Sequence, residues 1–343
     1  MKQTLNSPAV RWTAGVIAAI VLLVVLRFKP WQKPQKALTV AFIPVTCHLT
    51  CPITDYASKT TTTGTRFDAM RFTEFPSIIE SLKAKRLLAG FLTVPLAMKL
   101  REQGAPIRIC CLGHRDGSQV IIRKEDTAKS IVDMKGKTIA IPSPLSNENF
   151  VVRKAMKDQG LQPDDIKFQV LAPPDMPAAL AAKAIDGFVV AEPFCTKSLL
   201  DGSGRVLYYA HDLWPHYISC CLVAHEDLIK THPEQVRDLV RGIVESGEWA
   251  ETNRADAAKL AAPYFRQDEK LLNTILTANP PRVSYTMLNP TDAELQKVMD
   301  VGIELGQLKK KTPISEIIDR TYIPAEVHPA KIDMAQFTGT VHP

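Results

Sequence analysis

The chain has 343 residues, of which 45% are hydrophobic and 23% are charged, a globular composition with room for two lobes of ordinary size. The net charge of +6 comes from residues 1–36, which hold six Lys or Arg and no Asp or Glu, so that the remainder carries 36 residues of each sign. This balance argues against a nucleic-acid-binding surface, which needs clustered basic residues on the folded part.

An uncharged run occupies residues 12–26, WTAGVIAAIVLLVVL, between two arginines near the N-terminus. Its position favours a secretory signal or a signal anchor over a buried core helix of similar length. No A-x-A-like cleavage site follows, because Arg27 comes at once, and no cysteine lies close behind. We therefore expect an uncleaved anchor, although the flanking charges alone would place the following chain in the cytoplasm.

Strands and helices alternate over the first two thirds of the chain. Strands are predicted at residues 37–45, 65–72, 91–94, 107–112, 118–123, 137–141, 166–170, 187–190, 205–209 and 218–223. Helices are predicted at residues 78–90, 95–104, 129–135, 147–159, 176–183 and 192–200, and later at 233–252, 254–264, 268–278, 292–305 and 314–319. Alternation of this kind predicts mainly parallel sheets flanked by helices, with ligands at the carboxyl ends of the strands.

Residues 186–194, DGFVVAEPF, resemble the D-G-x-x-V-x-E-P-aromatic segment of the nitrate/sulfonate/taurine-type (NitT/TauT) substrate-binding proteins of ABC transporters. Other segments resemble the same family in the same order, over about residues 38–320: 41–46, 95–106, 113–118, 212–224 and 232–233. The chain is also similar to the thiamine-pyrimidine (NMT1-like) binding proteins.

The resemblance implies an α/β fold of the two-lobed periplasmic-binding-protein type II, each lobe a mainly parallel sheet flanked by helices. After the anchor and linker at residues 1–36, lobe 1 would comprise residues 38–122 plus 222–343, and lobe 2 residues 123–221. The lobes would close on a solute by a hinge motion. Residues 113–118 resemble the entry to that hinge.

The implied function is that of the extracytoplasmic solute-binding component of an ABC importer. Its partners would be a small-molecule solute, the permease and ATPase subunits, and the membrane through the N-terminal helix, with no nucleic acid. We expect a periplasmic, membrane-anchored monomer that is not an enzyme and needs no cofactor. The ligand would be a small polar or anionic solute of the nitrate, bicarbonate, sulfonate or pyrimidine class.

Two segments depart from the family pattern. Residues 46–52, TCHLTCP, place a C-H-x-x-C cluster where small and hydroxyl residues are expected. In residues 214–216, WPH, the Trp–His spacing differs by one position from that of the nitrate binders. Nitrate is therefore not carried over as the ligand.

The candidate ligand-binding residues follow strands or begin helices, where the fold places the cleft. Phe75, Phe194 and Trp214 are equally compatible with ordinary core, and Glu74 and Glu192 with helix capping or an interlobe contact. The candidates are Thr46, Cys47, His48, Glu74, Phe75, Thr93, His114, Ser146, Asn147, Asn149, Glu192, Phe194, Trp214 and His216.

The seven cysteines allow several interpretations. No metal site is predicted, although Cys47, His48 and Cys51 are candidates for one, with His114, Cys195 or His216 as further ligands. Packing of the thiols and a Cys47–Cys51 disulfide are the alternatives. The pairs at 110–111 and 220–221 favour core packing, because adjacent strand residues point to opposite faces and only one of each pair can face the cleft.

Two other functions remain open at this point. The thiamine-pyrimidine synthases share the fold and use an iron site, so a metal-dependent enzyme is one alternative. A membrane-tethered ligand sensor is the other, because the same clamp can report a solute to a membrane partner.

Overall fold

The computed structural model of the protein describes residues 37–60, 64–215 and 217–339. The first of two five-stranded sheets has the order β2-β1-β3-β11-β4. Strand β11 runs antiparallel to both of its neighbours, and the other four share one direction. The strands are β1 (Leu38–Phe42), β2 (Phe67–Arg71), β3 (Ala89–Thr93), β4 (Ile107–Leu112) and β11 (Cys220–His225).

The second sheet has the order β10-β6-β9-β7-β8, and here only β6 is reversed. Its side chains alternate between two cores, as strand geometry requires. Val120 and Val189 belong to a small core on one face, whereas Ile121 and Phe188 face the main core. The strands are β6 (Ser118–Arg123), β7 (Thr138–Ile141), β8 (Lys167–Val170), β9 (Gly187–Ala191) and β10 (Gly204–Tyr209).

Helices flank both sheets, so the predicted α/β class with mainly parallel strands is confirmed. In the first two thirds of the chain they are α1 (Thr50–Thr60), α2 (Phe75–Lys83), α3 (Val94–Glu102), α4 (Asn147–Asp158), α5 (Met176–Ala181), α6 (Phe194–Leu200) and α7 (Ala210–Leu213). The later helices are α8 (Glu226–Thr231), α9 (Pro233–Thr252), α10 (Arg254–Phe265), α11 (Glu269–Leu276), α12 (Asp292–Glu304) and α13 (Ile314–Ile317).

The chain passes between the sheets twice, once from β4 to β6 and once from β10 to β11. The first passage includes β5 (Arg115–Asp116), which pairs with β12 (Val283–Ser284). The two passages are bonded to each other, because the Asp116 N–H donates to the Tyr217 carbonyl at 3.3 Å. We call the region where these passages meet the strand ends at Thr46, His114, Glu192 and Cys220 the junction.

Local signals explain where helices begin near the junction. The Ser146 hydroxyl caps α4 by accepting a hydrogen bond from the Asn149 N–H at 3.1 Å. Thr291 and Glu294 form a reciprocal capping box at the start of α12. These caps fix the first turns of the two helices.

Several predicted boundaries are wrong. Residues 50–60 form a helix that was not predicted, so the C-H-x-x-C segment is a 3-10 turn, Thr46–His48, leading into α1. The helix predicted over 78–90 is α2, which ends at Lys83, and Gly90 lies inside β3. Residues 129–135 contain only a 3-10 turn at Val132–Met134.

Within the described residues, no helix combines the length and apolar composition needed to cross a membrane. The anchor predicted within residues 1–36 lies outside the described part of the chain.

Candidate functional site

Thr46 connects the end of β1 to the second sheet. Its backbone N–H donates to the Glu192 carbonyl at 2.8 Å, and its hydroxyl donates to the same oxygen at 3.3 Å. From the C-terminal part of the chain, the Tyr285 hydroxyl donates to the Thr46 carbonyl at 3.0 Å. Thr46 is completely buried, so its polar groups hold the junction together.

His48 is a buried, neutral imidazole next to the junction. Its Nδ1 lies 2.9 Å from the Ile43 amide nitrogen and 3.2 Å from the Ile43 carbonyl oxygen, so it bonds to the backbone of Ile43 in either tautomer. Burial, followed by the nearby charge of His114, lowers the pKa of His48 to about 3. The ring packs 4.9 Å from Phe91 and 6.5 Å from Phe75, and Nε2 has no partner among the described residues.

His114 follows β4 and is completely buried. Neither of its ring nitrogens makes a hydrogen bond of normal geometry within the described chain. Burial lowers the pKa of His114 to about 3, so the ring is neutral at physiological pH. A neutral imidazole offers both a donor and an acceptor.

The first turn of α4 is a group of buried polar residues on the second-sheet side. Asn147 Nδ2 donates to the Ile218 carbonyl of the second passage, and Asn147 Oδ1 has no described partner. Asn149 Nδ2 donates to the Pro144 carbonyl at 2.8 Å. Ser146 and Asn149 are therefore engaged within this turn, whereas Asn147 has an unused acceptor.

Glu148 is a buried carboxylate that the sequence did not single out. One oxygen accepts hydrogen bonds from Ser118 at 3.2 Å and Ser219 at 3.1 Å, and the other has no partner within the described residues. Burial raises the pKa of Glu148. Acidic side chains are favoured in the first turn of a helix, because the positive end of the helix dipole stabilises them. The position of Glu148 in the first turn of α4 is therefore a weak sequence signal for this residue.

Glu192 links the end of β9 to the C-terminal part of the chain. Its carboxylate accepts hydrogen bonds from Gln119 at 2.6 Å, Thr196 Oγ1 at 2.7 Å and Arg282 at 3.1 Å. It also accepts from the Thr196 N–H in the first turn of α6, in addition to forming the ion pair. Glu192 thus joins the end of β9 both to the first turn of α6 and to Arg282.

The other predicted residues lie in different settings. Thr93 Oγ1 donates to the Leu145 carbonyl at 2.7 Å and so joins β3 to the loop before α4. Glu74 is exposed and accepts from the Ser77 hydroxyl instead of capping the backbone. Phe194 is buried in the main core, and Trp214 packs under Lys297. His216 lies outside the described residues.

The seven cysteines are all free and buried, so the Cys47–Cys51 disulfide alternative is wrong. Cys51 points to the Val40 carbonyl, and Cys221 to the Leu92 carbonyl. Cys47 instead lies beside Cys220, the first residue of β11. The predicted grouping of Cys47 with His48 and Cys51 as metal ligands is not formed, because their ligand atoms do not all lie within 4.8 Å of one another.

Several surface pockets lie away from the junction. One of about 510 Å³, lined by Ile79, Leu100 and His225 among others, lies at the opposite ends of β4 and β11 from the junction. That pocket lacks the concentration of unpartnered polar atoms found at the junction. We therefore take the junction as the candidate site.

Two mainly parallel sheets that meet at a buried polar junction define a two-sheet α/β fold class. Within that class, the chain belongs to the NMT1-like family, whose model matches residues 31–263.

Curated relatives match parts of the chain. It is 26% identical over 189 residues to the nitrate import ATP-binding protein NrtC of Synechocystis sp., covering 50% of this chain and 28% of that protein. It is 26% identical over 186 residues to the taurine-binding periplasmic protein of Escherichia coli, covering 53% and 57%. The chain thus spans less than two thirds of the length of either relative.

Solved structures share the fold. The ligand-binding component of an ABC-type import system from Staphylococcus aureus, with zinc bound, has a TM-score of 0.77 at 20% identity, covering 84% of this chain and 98% of that one. The desulfurization enzyme DszB has a TM-score of 0.60 at 12% identity, covering 84% and 97%. The fold alone therefore does not separate binding proteins from enzymes.

Proposed function

We propose that the protein is the extracytoplasmic solute-binding component of an ABC importer and captures a small polar solute at the junction. The observation that carries the proposal is a set of buried polar atoms without described partners: both nitrogens of His114, Glu148 Oε2 and Asn147 Oδ1. An unpaired buried polar group costs about 1–3 kcal/mol, so a ligand that pairs with several of them gains free energy on binding.

The two lobes of the clamp would be built around the two sheets. Residues 38–122 plus 222–343 would form lobe 1 and residues 123–221 lobe 2. The start of β11 at Cys220 favours a return to lobe 1 slightly before residue 222. Thr46, Thr93 and Arg282 would then make the interlobe contacts of the closed form.

The relatives support transport as the role of the clamp. Those described above are named for nitrate import, taurine binding and an ABC-type import system. By analogy, the partners would be the permease and ATPase subunits, and the protein would act outside the cytoplasmic membrane as a monomer. A hydrophobic segment at residues 12–26 would tether it there without cleavage.

The solute would contact the side chains that border the junction. We assign this role to Cys47, His48, His114, Asn147 and Glu148, since each is buried and four of them carry an unpartnered polar atom. Thr46, Thr93 and Glu192 would shape or close the cleft, whereas the exposed Glu74 would not contact the solute. A binding role requires no catalytic group.

Thermal unfolding of the purified full-length chain in detergent tests this proposal. A solute that binds only the folded state raises the melting temperature with its concentration. The panel would contain nitrate, nitrite, bicarbonate, sulfonates, taurine, pyrimidines and divalent metal ions. Glu148→Gln should change the response to the active solute, and Glu74→Gln, on an exposed carboxylate, should not.

Small-angle X-ray scattering provides the second measurement. Binding of the active solute should reduce the radius of gyration, because the lobes close around it. The proposal would be contradicted if no member of the panel raised the melting temperature of the chain and none reduced its radius of gyration.

A further inference from the structure

Three soft side chains from separate segments converge at the junction. Cys47 lies in the turn after β1, His114 follows β4, and Cys220 begins β11. One ligand atom from each, two sulfurs and an imidazole nitrogen, lies within 4.8 Å of the other two. All three residues are buried, so the cluster is enclosed by protein.

The backbone holds these residues close together. A Cβ added to Gly113 would lie 2.7 Å from the Cys47 carbonyl oxygen, so only glycine allows this approach without a shift. The Gly113 N–H also donates to the Cys220 carbonyl at 3.0 Å. The residue before His114 is thereby fixed against both cysteine-bearing segments, and the cluster is preorganised.

The spacing suits a metal ion. Zn²⁺ binds Cys sulfur at about 2.3 Å and His nitrogen at about 2.0–2.1 Å, so tetrahedral ligand atoms lie roughly 3.5–3.8 Å apart. Small side-chain movements would bring atoms now within 4.8 Å to these separations. Thiolate and imidazole select soft or borderline ions such as Zn²⁺ and Cu⁺ over Mg²⁺ and Ca²⁺.

The surrounding charges favour a cation over an anion. Glu148 presents an unpartnered carboxylate oxygen, and its charge acts on Cys47. Two arginines of this region already have anionic partners: Arg115 pairs with Glu294, and Arg282 with Glu192. An anionic solute would therefore meet a carboxylate with neither arginine free to neutralise it.

We propose that Cys47, His114 and Cys220 bind a thiophilic transition-metal ion of the Zn²⁺ or Cu⁺ class, and that this ion is the solute, or the part of the solute, that the junction recognises. The proposal rests on the solute-binding function described above and names its ligand class. Glu148 lies close enough to supply negative charge to the bound ion. Binding would release the thiol protons to solvent as the thiolates form.

The first test uses metal competition against a chromophoric chelator, with the reduced full-length chain and Zn²⁺ as the probe. One ion per chain should bind, and Cys47→Ser, Cys220→Ser and His114→Gln should each weaken binding by about 100-fold or more. Cys221→Ser is the matched control, because this thiol is equally buried on the same strand but bonds to Leu92. Unchanged affinity in the three ligand variants would overturn the proposal.

A spectroscopic test does not depend on the folding of the three ligand variants. Co²⁺ bound by two thiolates gives a sulfur-to-metal charge-transfer band, which should be present in the native chain and in Cys221→Ser. Its absence from the native chain would contradict thiolate ligation. Glu148→Gln should weaken metal binding by about 10-fold, whereas an anion-binding junction predicts tighter solute binding in this variant.

The outcomes separate this inference from the proposed function. If a metal ion binds and also reduces the radius of gyration, the result supports both the metal site and the solute-binding function. Metal binding without contraction supports the metal site and contradicts the clamp. Contraction with an anion or a pyrimidine, and no metal binding, retains the solute-binding function and overturns the metal ligand. A metal-bearing chelate that binds while the free ion does not identifies a metal-containing solute as the ligand.

Discussion

Glu192 and Arg282 form an ion pair across the junction, with the carboxylate oxygen 3.1 Å from the guanidinium nitrogen. The Glu192 side chain is fully buried, and that of Arg282 is 28% exposed. Because the carbonyl of Glu192 also accepts from Thr46, one residue at the end of β9 contacts two parts of the chain associated with the first sheet. The arrangement of the two sheets therefore depends in part on the charges of Glu192 and Arg282.

We expect Arg282→Met to destabilise the folded protein by about 2 kcal/mol, because it leaves a buried carboxylate with fewer donors. Gln119 and Thr196 would still donate to Glu192, which limits the loss. Urea unfolding measures the change as a lower midpoint. Arg241→Met, which removes a surface pair with Asp238, should cost less than about 0.5 kcal/mol. Equal effects of the two substitutions would argue against a special role for the Glu192 pair.

Gly113→Ala should destabilise the protein by about 2 kcal/mol, because the new Cβ would lie 2.7 Å from both the Cys47 carbonyl oxygen and a Phe91 ring carbon. Gly90→Ala is a graded control, since its Cβ would meet the Ala41 side chain at 3.0 Å. Thermal unfolding should therefore rank Gly113→Ala as the more damaging of the two. The reverse order would mean that the turn after β4 moves freely away from Cys47.

Much of the fold could be predicted from residue patterns. The runs at β1, β4 and β11 are mostly apolar because these strands are largely buried on both faces, and such runs stand out in a sequence. The long helix α9 has an equally clear apolar stripe. Helix α1 was missed because its first turns, TCPITDY, are rich in Thr and Cys, although Pro52 is compatible with a helix start.

The candidate site was harder to predict because its contacts join residues far apart in the chain. Cys47 and His114 were singled out, but their approach to Cys220 depends on the packing of β11 between β3 and β4. Glu148 lies between Asn147 and Asn149, which with Ser146 indicate the start of a helix. Only the position of α4 against Ser118 and Ser219 shows that its carboxylate is buried at the junction.

Free thiols provide a further prediction. Burial raises the pKa of Cys47, Cys51, Cys111, Cys195 and Cys221, which keeps these thiols protonated and unreactive. The native metal-free chain should therefore react slowly with a thiol-specific disulfide reagent. After unfolding in guanidinium, all seven cysteines should react. A count of five or fewer in protein prepared without reductant would show that a disulfide has formed.

The pH dependence of stability should reveal the contribution of Glu294. Burial tends to raise the pKa of this carboxyl, but hydrogen bonds from Arg115 and from Thr291 hold it below its usual range. The unfolded chain then binds the proton more readily than the folded one, so the contribution is present above the unfolded pKa of about 4.3 and is lost as pH falls below it.

Glu294→Gln should accordingly destabilise the protein by about 1 kcal/mol at pH 7. The substitution removes the negative charge that pairs with Arg115, and the same side chain forms the capping box with Thr291. The difference from the native chain should shrink as the pH is lowered from 5 to 3, and urea unfolding across that range measures it. Glu304→Gln, on an exposed pair with Lys157, should change the stability little at any of these pH values. A constant penalty for Glu294→Gln from pH 7 to pH 3 would show that its hydrogen bonds, and not its charge, stabilise the turn that carries Arg115.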